Sequence, residues 1–186
     1  MPINPFWLAL FYGLSETAIS TLLRSKSESS ATDKGSLALI WRVIGASMIA
    51  AMFAAVYMHF AHFDGGATLY WVGFAMFVGG IALRWYSISY LGRFFTVDVT
   101  VKSDQTVVDT GPYKFIRHPS YTGSLLAFLG LGICFANYAT LAIMMIPITS
   151  VFLYRMKIEE AALQTGLGEA YRNYMSRTKR LVPFLY

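Results

Sequence analysis

The sequence predicts an all-α integral membrane protein with about five transmembrane helices, and three observations support this fold class. Hydrophobic residues make up 56% of the 186 residues, and the mean hydropathy is +0.50. Five apolar segments each approach the roughly 20 residues that a helix needs to cross a hydrocarbon core. The basic residues fall on one side of the layout that these segments define. A soluble domain of ordinary composition is therefore excluded.

The five predicted helices follow one another along a single membrane domain, residues 1–186. They cover residues 5–23, 37–60, 67–91, 119–136 and 139–157. The first has no basic segment before it, so we expect a retained helix rather than a cleaved signal peptide. The fourth and fifth are separated by a tight turn near Asn137, which predicts an antiparallel hairpin. Helices one to three occupy residues 1–91, and residues 92–186 hold the longest connection, the hairpin and a polar C-terminal stretch.

The charge pattern gives an orientation to this layout. The chain has fifteen Lys and Arg residues and a net charge of +5. The N-terminus, the second connection and the turn between helices four and five carry none of them. The positive-inside rule then predicts an outside N-terminus, with residues 92–118 and the C-terminus in the cytoplasm. Since topology accounts for the basic residues, no nucleic-acid partner is predicted.

Small residues at four-residue spacing predict where the helices pack against each other. Ala46, Ala50 and Ala54 repeat in this way on helix two, and Ala75 and Gly79 on helix three. Small side chains let helix backbones approach closely in lipid. The pattern does not set an oligomeric state, because such faces pack equally well within a chain or between chains.

The connection of residues 92–118 carries several local signals. Its segment "TVDVTV" alternates β-branched residues, which predicts an extended stretch or a short hairpin. Gly111-Pro112 is a turn signal. Pro119 suits the first position of helix four, where a backbone N–H is not needed. Further on, Gly166 and Gly168 predict a break, with a second short helix over residues 168–179.

Three further polar residues lie outside the 92–118 connection. Glu16 falls within the first apolar segment, where an unpaired acid is costly; pairing, protonation and a position nearer the surface all remain open for it. His59 and His62 stand three residues apart in the second connection. No third ligand is near them, so no metal site is predicted.

Ionisable and aromatic residues gather where helices four and five begin and end on the same side. If the two helices form a hairpin, then His118, Tyr121, Arg155 and Glu159 lie at one level. Such groups at a membrane boundary are candidates for function. The alternatives are interfacial anchoring by Arg and Tyr and a weak Arg155–Glu159 salt bridge on an exposed helix.

Two linked motifs in the C-terminal half resemble the isoprenylcysteine carboxyl methyltransferase family. They are "TGPYKFIRHPSYTG" and, after the hairpin, "RMKIEEAALQTGLGEAYRNYMSRTKRLVPF". The upstream "YLGRFFTVDV" is similar to the same family, so the resemblance spans residues 90–184. The two motifs are specific as a pair. Wider relatives include phospholipid N-methyltransferases, membrane thiol methyltransferases and sterol reductases that use a nicotinamide cofactor.

The resemblance implies an integral-membrane enzyme that binds S-adenosylmethionine in a cytoplasmic pocket. The loop before helix four and the C-terminal helices would form this pocket. By position, the cofactor residues would be Val107, Val108, Gly111, Tyr113, His118, Pro119, Ser120, Tyr121 and, deeper, Leu126. Arg155 and Glu159 match the family's Arg and Glu that lie where the methyl group meets its acceptor. An aromatic face such as that of Tyr121 attracts a sulfonium cation.

We therefore expect a membrane methyltransferase whose acceptor is lipophilic, either a small molecule or a prenylated thiol. Carboxylate, amine and thiol acceptors remain open. Arg155 would orient a carboxylate or phosphate, and Glu159 would orient Arg155 or accept a proton. The other readings are a nicotinamide-dependent membrane reductase and a non-catalytic membrane scaffold.

The chain departs from the family pattern on the acceptor side. The Glu-rich run of the family is reduced to Ile158-Glu159-Glu160, and the usual aromatic pair is Gly166-Leu167. The chain resembles a minimal five-helix form without the extra N-terminal helices of eukaryotic members, which predicts a bacterial or archaeal inner membrane.

Overall fold

The computed structural model describes residues 2–22 and 35–183, and the helices in these ranges begin close to the predicted positions. They are α1 Pro5–Leu22, α2 Ser36–Tyr57, α3 Gly66–Leu91, α4 Pro119–Cys134 and α5 Tyr138–Arg177. Pro119 is the first residue of α4, as predicted, because its missing N–H costs no hydrogen bond there.

The helices have the lengths and surfaces of a membrane protein. Of the described helices, α2, α5 and the span from Gly66 to Phe94 are long and apolar enough to cross a membrane, and α4 is apolar but shorter. Large apolar side chains such as Trp7, Ile49 and Trp71 face outward. Apolar side chains on the surface pack well against lipid tails, whereas their exposure to water would be unfavourable. The chain is an integral membrane protein.

Glycines make the closest helix contact, between α3 and α4. A Cβ added to Gly80 would lie 2.4 Å from the Ala127 nitrogen. A Cβ on Gly130 would lie 2.4 Å from the Gly73 carbonyl oxygen, and one on Gly123 would also meet α3 backbone. The two backbones therefore approach to a distance that only glycine permits.

Within the chain, the predicted small-residue faces are buried at only one position. Ala54 is buried, but Ala46, Ala50, Ala75 and Gly79 are exposed. A four-residue spacing identifies a continuous stripe along a helix, but it does not say which stripe faces a partner. In α2 and α3 the contact stripe lies on another face of the helix.

The predicted α4–α5 hairpin is confirmed, and Asn137 organises its turn. The Asn137 side chain accepts a hydrogen bond from the Thr140 backbone nitrogen at 2.9 Å, which caps α5. Its Nδ2 donates to the Met58 carbonyl oxygen at 2.9 Å. One side chain therefore joins the end of α2 to the start of α5, along which α2 packs.

The 92–118 connection, called here the 92–118 loop, is irregular. The predicted alternative of a short hairpin at "TVDVTV" was wrong, since the described part of this loop contains no strand and bends at Val97 and Asp98. The Thr96 hydroxyl donates to the Asp98 carbonyl oxygen at 2.7 Å, and Thr100 donates to Thr96 at 3.1 Å. These local hydrogen bonds replace those of a strand ladder.

The predicted break near Gly166 and Gly168 is confirmed as a kink within α5. Gly168 has φ 57° and ψ −131° inside the helix Tyr138–Arg177. The helix has 40 residues, which at about 1.5 Å per residue is about twice the thickness of a hydrocarbon core. Its C-terminal half therefore extends beyond the bundle and packs beside the 92–118 loop, where Gly166 contacts Val101.

Candidate active site

Two cavities lie at the end of the bundle that carries the 92–118 loop. The first, of about 670 Å³, lies between this loop and the C-terminal half of α5. Its lining residues are Leu91, Phe94, Phe95, Thr96, Asp98, Val99, Thr100, Gln105, Thr106, Val107, Val108, Tyr113, Arg117, Glu159, Leu163, Leu167, Tyr171 and Tyr174.

The second cavity, of about 830 Å³, lies among the helices. It is lined by Glu16, Ile19, Ser20, Leu37, Ile40, Trp41, Ile44, Arg84, Leu91, Phe95, Thr96, Val97, Tyr113, Ser120, Tyr121, Phe152, Arg155 and Glu159. The helical part of this wall comes from α1, α2, α3, α4 and α5, so the second cavity lies between the helices of the bundle.

The two cavities meet at a shared wall. The residues that line both are Leu91, Phe95, Thr96, Tyr113 and Glu159. Glu159 is the acid of this set, and its Oε2 accepts a hydrogen bond from the Tyr121 hydroxyl at 3.2 Å. A carboxylate therefore stands where two molecules, one in each cavity, would meet.

Arg155 lies one turn before Glu159 on α5 and joins two elements of the second cavity. Its Nη1 donates to the Ser36 hydroxyl at the start of α2, and its Nη2 donates to the Val97 carbonyl oxygen at 2.6 Å. The residue is only 3% exposed. The alternative of an exposed Arg155–Glu159 salt bridge was therefore wrong.

Tyr113 connects the shared wall to the rest of the fold. Its hydroxyl donates to the Ser87 carbonyl oxygen at 3.1 Å, and its carbonyl oxygen accepts from the Tyr174 hydroxyl at 2.7 Å. Burial raises the pKa of Tyr113, and the nearby Glu159 carboxylate raises the pKa further. The phenol thus stays protonated at neutral pH and remains a hydrogen-bond donor.

Glu160, the next residue along α5, forms a buried ionic cluster. Its carboxylate accepts from Arg117 at 2.8 Å and from Arg180 at 2.7 Å, and it lies 3.3 Å from His118 Nε2. These four residues are called here the Glu160 cluster. The Arg117 backbone also donates to the Lys179 carbonyl oxygen at 2.7 Å. The cluster therefore fastens the segment after α5 to the start of α4.

Glu16 is paired, which settles the question that its position raised. Arg84 donates to both of its carboxylate oxygens, at 2.5 and 2.6 Å. Arg84 also donates to the Ser120 carbonyl oxygen at 3.4 Å. This ion pair links α1 and α3 to the first turn of α4 and forms part of the wall of the second cavity.

The predicted site residues fall into three groups in the structure. The first cavity is lined by Val107, Val108, Tyr113 and Glu159. The second is lined by Tyr113, Ser120, Tyr121, Arg155 and Glu159. Gly111, His118, Pro119 and Leu126 line neither cavity. The hairpin therefore brings Tyr121, Arg155 and Glu159 to one cavity, whereas His118 lies behind the wall because its ring contacts Glu160.

Gly111 supports the site through its backbone. Its φ is +56°, and a Cβ at this position would lie 2.5 Å from the Tyr90 ring. Glycine is therefore required here for two reasons, conformation and space. The turn that it starts places Tyr113 in the shared wall, so the predicted Gly111-Pro112 turn is confirmed.

Sequence reasoning missed Asp98 and the partners of Glu160. Asp98 is the single acid within the alternating β-branched segment "TVDVTV", and this unusual position could have identified it as a candidate site residue. Two adjacent acids on a helix point about 100° apart. Glu159 and Glu160 therefore face different partners. The partners themselves, Arg117 and Arg180, are too distant in sequence for a pattern to identify.

The profile of the isoprenylcysteine carboxyl methyltransferase family matches residues 71–165, about half of the chain. The chain belongs to this family. The match begins in α3 and ends in α5, and it includes the 92–118 loop and both residues expected at the methyl acceptor. The shared wall of the two cavities therefore falls within the family's region.

Curated relatives carry names of methyltransferases. Protein-S-isoprenylcysteine O-methyltransferase B of Arabidopsis thaliana is 27% identical over 66% of this chain and 65% of its own length. The Schizosaccharomyces pombe protein-S-isoprenylcysteine O-methyltransferase is 28% identical over 44% of this chain and 35% of its own. A methanethiol S-methyltransferase of a Pseudomonas strain is 38% identical over 38% of this chain and 26% of its own. The matched part of the chain thus spans between about a quarter and two thirds of the length of these relatives.

The fold also matches a solved structure. The eukaryotic intramembrane Ras methyltransferase ICMT superposes with a TM-score of 0.63 at 23% identity. The superposition covers 96% of this chain and 64% of that protein. The helical arrangement of the whole chain, including α1 and α2 outside the family match, is therefore that of an integral membrane protein of known fold.

Proposed function

We propose that this protein is a membrane methyltransferase that uses S-adenosylmethionine to methylate a lipophilic acceptor. The observation that carries the proposal is the pair of cavities that meet at Glu159. A donor in one cavity and an acceptor in the other would face each other across the shared wall. Such positioning converts an encounter between two molecules into a reaction within one complex.

The first cavity suits the cofactor. Aromatic side chains such as Phe94 and Tyr171 line it and offer flat apolar faces to an adenine ring. Among the described residues, none forms a hydrogen bond with the backbone of Val107 or Val108, so these peptide groups are available to a ligand. When bound there, S-adenosylmethionine would supply an electrophilic methyl group on a cationic sulfur.

The second cavity suits an acceptor with an apolar chain and a polar end. Ile19 of α1 and Ile40, Trp41 and Ile44 of α2 form an apolar wall within the membrane-spanning region. Arg155 and Glu159 line the same cavity, and Glu159 also borders the first cavity. The apolar part of the acceptor would lie among the helices and its polar end would reach the shared wall.

Glu159 and Arg155 would then act on the acceptor. Glu159 would accept the proton of a thiol or amine acceptor, or orient Arg155 toward a carboxylate acceptor. Arg155, held rigidly by Ser36 and Val97, would contribute the positive charge that attracts an anionic end. Exclusion of water by the 92–118 loop would favour a reaction in which opposite charges cancel.

The leading acceptor class is the carboxylate of a prenylated cysteine, because this is the substrate that the family name and several curated relatives state. A small thiol is the second candidate. It is favoured by the methanethiol S-methyltransferase, which is 38% identical over 71 residues. A phospholipid amine remains the third class to test.

The decisive experiment combines binding with turnover on the full chain in detergent or in vesicles. The thermal midpoint is measured with S-adenosylhomocysteine and, separately, with NADPH; a ligand that binds only the folded state raises the midpoint. Labelled methyl transfer is then measured to N-acetyl-S-farnesylcysteine, to an alkanethiol and to phosphatidylethanolamine. We expect a shift with S-adenosylhomocysteine and transfer to the prenylcysteine.

Each other outcome has a defined meaning. A shift with NADPH alone would replace the proposal with a membrane reductase. Transfer to the thiol but not to the prenylcysteine would keep the methyltransferase and change its acceptor. Folded protein that binds neither ligand would overturn the proposal in favour of a non-catalytic membrane protein.

A further inference from the structure

Asp98 is a buried carboxylate whose partner is not part of the described protein. It is 8% exposed and lines the first cavity. Within residues 2–22 and 35–183, no group donates a hydrogen bond to its carboxylate and no cation lies within salt-bridge distance of it. Other buried acids of the site are paired: Glu16 accepts two hydrogen bonds from Arg84, and Glu160 contacts Arg117, His118 and Arg180.

The Asp98 carboxylate oxygens are not among the fully buried polar atoms of the described residues that lack a partner, so they open onto the first cavity, where a ligand can reach them. The local backbone holds Asp98 in place, because the Thr96 hydroxyl donates to its carbonyl oxygen and bends the chain there. The side chain borders the same open space as Phe95 and Thr96 of the shared wall. A molecule that fills the first cavity would therefore complete the hydrogen bonding of Asp98.

We propose that Asp98 binds the two ribose hydroxyls of the adenosyl group in the first cavity. This inference rests on the proposed function. A carboxylate has two oxygens that accept hydrogen bonds side by side, and a vicinal diol presents two donors in a matching arrangement. Charge-assisted hydrogen bonds of this kind are among the stronger ones in proteins.

The position of Arg117 favours a placement of the cofactor with its ribose at Asp98. The amino-acid end of the cofactor carries an ammonium group, which Asp98 would attract, and a carboxylate, which Asp98 would repel and a guanidinium would attract. Arg117 lines the first cavity from the α4 side and supplies a positive charge there. The methionine carboxylate is therefore better placed toward Arg117, and the neutral diol toward Asp98.

The test measures binding by the full chain in detergent, with Asp98→Asn and Asp98→Ala as variants. The ligands are S-adenosylhomocysteine and 5′-methylthioadenosine, which has the ribose but lacks the amino-acid end. We expect both variants to bind both ligands about ten- to a hundredfold more weakly than the wild type, because a charge-assisted pair is lost. Asp104→Asn is the matched control: it lies in the same loop, its side chain is 56% exposed, and it pairs with Arg93.

A second readout separates a ligand-binding role from a structural one. Since no described group donates a hydrogen bond to the Asp98 carboxylate, Asp98→Asn should leave the thermal midpoint of the unliganded protein almost unchanged while it weakens binding. A residue that merely holds the loop together would lower the midpoint instead. A clearly lower midpoint in Asp98→Asn would therefore overturn the proposal, even if binding were weakened.

The remaining outcomes are also decisive. Weaker binding of S-adenosylhomocysteine with unchanged binding of 5′-methylthioadenosine would assign Asp98 to the ammonium group and overturn the ribose assignment. Unchanged binding of both ligands would overturn it as well. In either case the wild type still binds S-adenosylhomocysteine, so the proposed function stands. If the wild type bound neither ligand, both proposals would fail together.

Discussion

Glu159 and Glu160 are adjacent on α5, yet their surroundings differ completely. Glu159 borders both cavities and accepts a hydrogen bond from Tyr121. Glu160 is enclosed by Arg117, His118 and Arg180. The helical rotation of about 100° per residue separates them. One acid is available to a ligand, and the other is satisfied by protein groups.

Replacement of Glu159 by Gln is expected to lower kcat about a hundredfold or more, because the group that handles the proton or orients the acceptor is lost. Binding of S-adenosylhomocysteine should stay within a few-fold of the wild type, since the amide keeps the shape of the wall. The measurement is labelled methyl transfer at saturating cofactor, with the thermal shift as the binding readout. Full turnover by Glu159→Gln would remove Glu159 from the mechanism.

At the scale of residues, a side-chain contact could be predicted only where a simple local connection, such as a hairpin, brings the two residues together. Tyr121, Arg155 and Glu159 were placed together correctly, because a hairpin with a tight turn brings the ends of its helices to one level. The pairing of Glu16 with Arg84 was not predictable, because 68 residues separate them. No periodic pattern links an acid on one helix to a base two helices later.

At the scale of elements, the Glu160 cluster holds together the start of α4, the C-terminal half of α5 and the segment that follows. The charges of Arg117 and Arg180 are buried with it, with side-chain exposures of 9% and 25%. Breaking a buried pair leaves an uncompensated charge, which costs about 3–5 kcal/mol. The cluster therefore stabilises the fold, and its member Arg117 also borders the first cavity.

Glu160→Gln is expected to lower the thermal midpoint of the detergent-purified protein by roughly 10 °C, the shift that such a loss produces in a chain of this size. Glu169→Gln is the matched control on the same helix, since the Glu169 side chain is 73% exposed and pairs only with Arg172 at the surface. Its midpoint should hardly change. Equal midpoints for the two variants would show that the cluster does not stabilise the fold.

Gly79 and Gly80 provide a second comparison between neighbours. Gly80→Ala places a Cβ against α4 backbone, whereas the same atom on Gly79 meets nothing within 4 Å. Gly80→Ala should cost about 1–3 kcal/mol, because α3 and α4 must separate. Gly79→Ala should be neutral or stabilise by up to about 1 kcal/mol, since Ala favours a helix. Thermal midpoints in the same detergent measure both, and an equal loss in the two would contradict the close α3–α4 contact.

The helices were predictable because apolar length and turn residues define them, and each begins within about two residues of its expected position. The kink within α5 and the helix after it were predicted from Gly166 and Gly168. The apolar segment ends at residue 157, however, so the pattern did not show that one helix runs from Tyr138 to Arg177. The path of the 92–118 loop was also missed. Its Thr residues bond to their own backbone, which a β-branched pattern does not reveal.

At the scale of the whole molecule, the candidate site lies where the water-exposed loop end of the protein meets its lipid-facing helices. The first cavity opens beside the 92–118 loop, which a water-soluble cofactor can reach, and the second lies among helices that contact lipid. This arrangement explains why Arg, His and Tyr precede an apolar helix in "FIRHPSYTG": the polar groups are required at the boundary. Under the proposed function, membrane orientation matters for activity, because the first cavity would have to face the compartment that supplies the methyl donor.

The predicted orientation places the 92–118 loop in the cytoplasm and the α2–α3 turn outside. Single cysteines test it, because the native Cys134 is buried and should react little. Phe60→Cys marks the α2–α3 turn, where Phe60 is 88% exposed. Asp104→Cys marks the 92–118 loop, where the side chain is 56% exposed.

In intact cells, a membrane-impermeant maleimide should label Phe60→Cys, and it should label Asp104→Cys only after the membrane is opened. The wild-type chain gives the background from Cys134. The reverse pattern would place the first cavity on the side of the membrane that lacks the cofactor. The proposed methyltransferase would then have no donor, so this labelling tests the orientation and the function through the same two side chains.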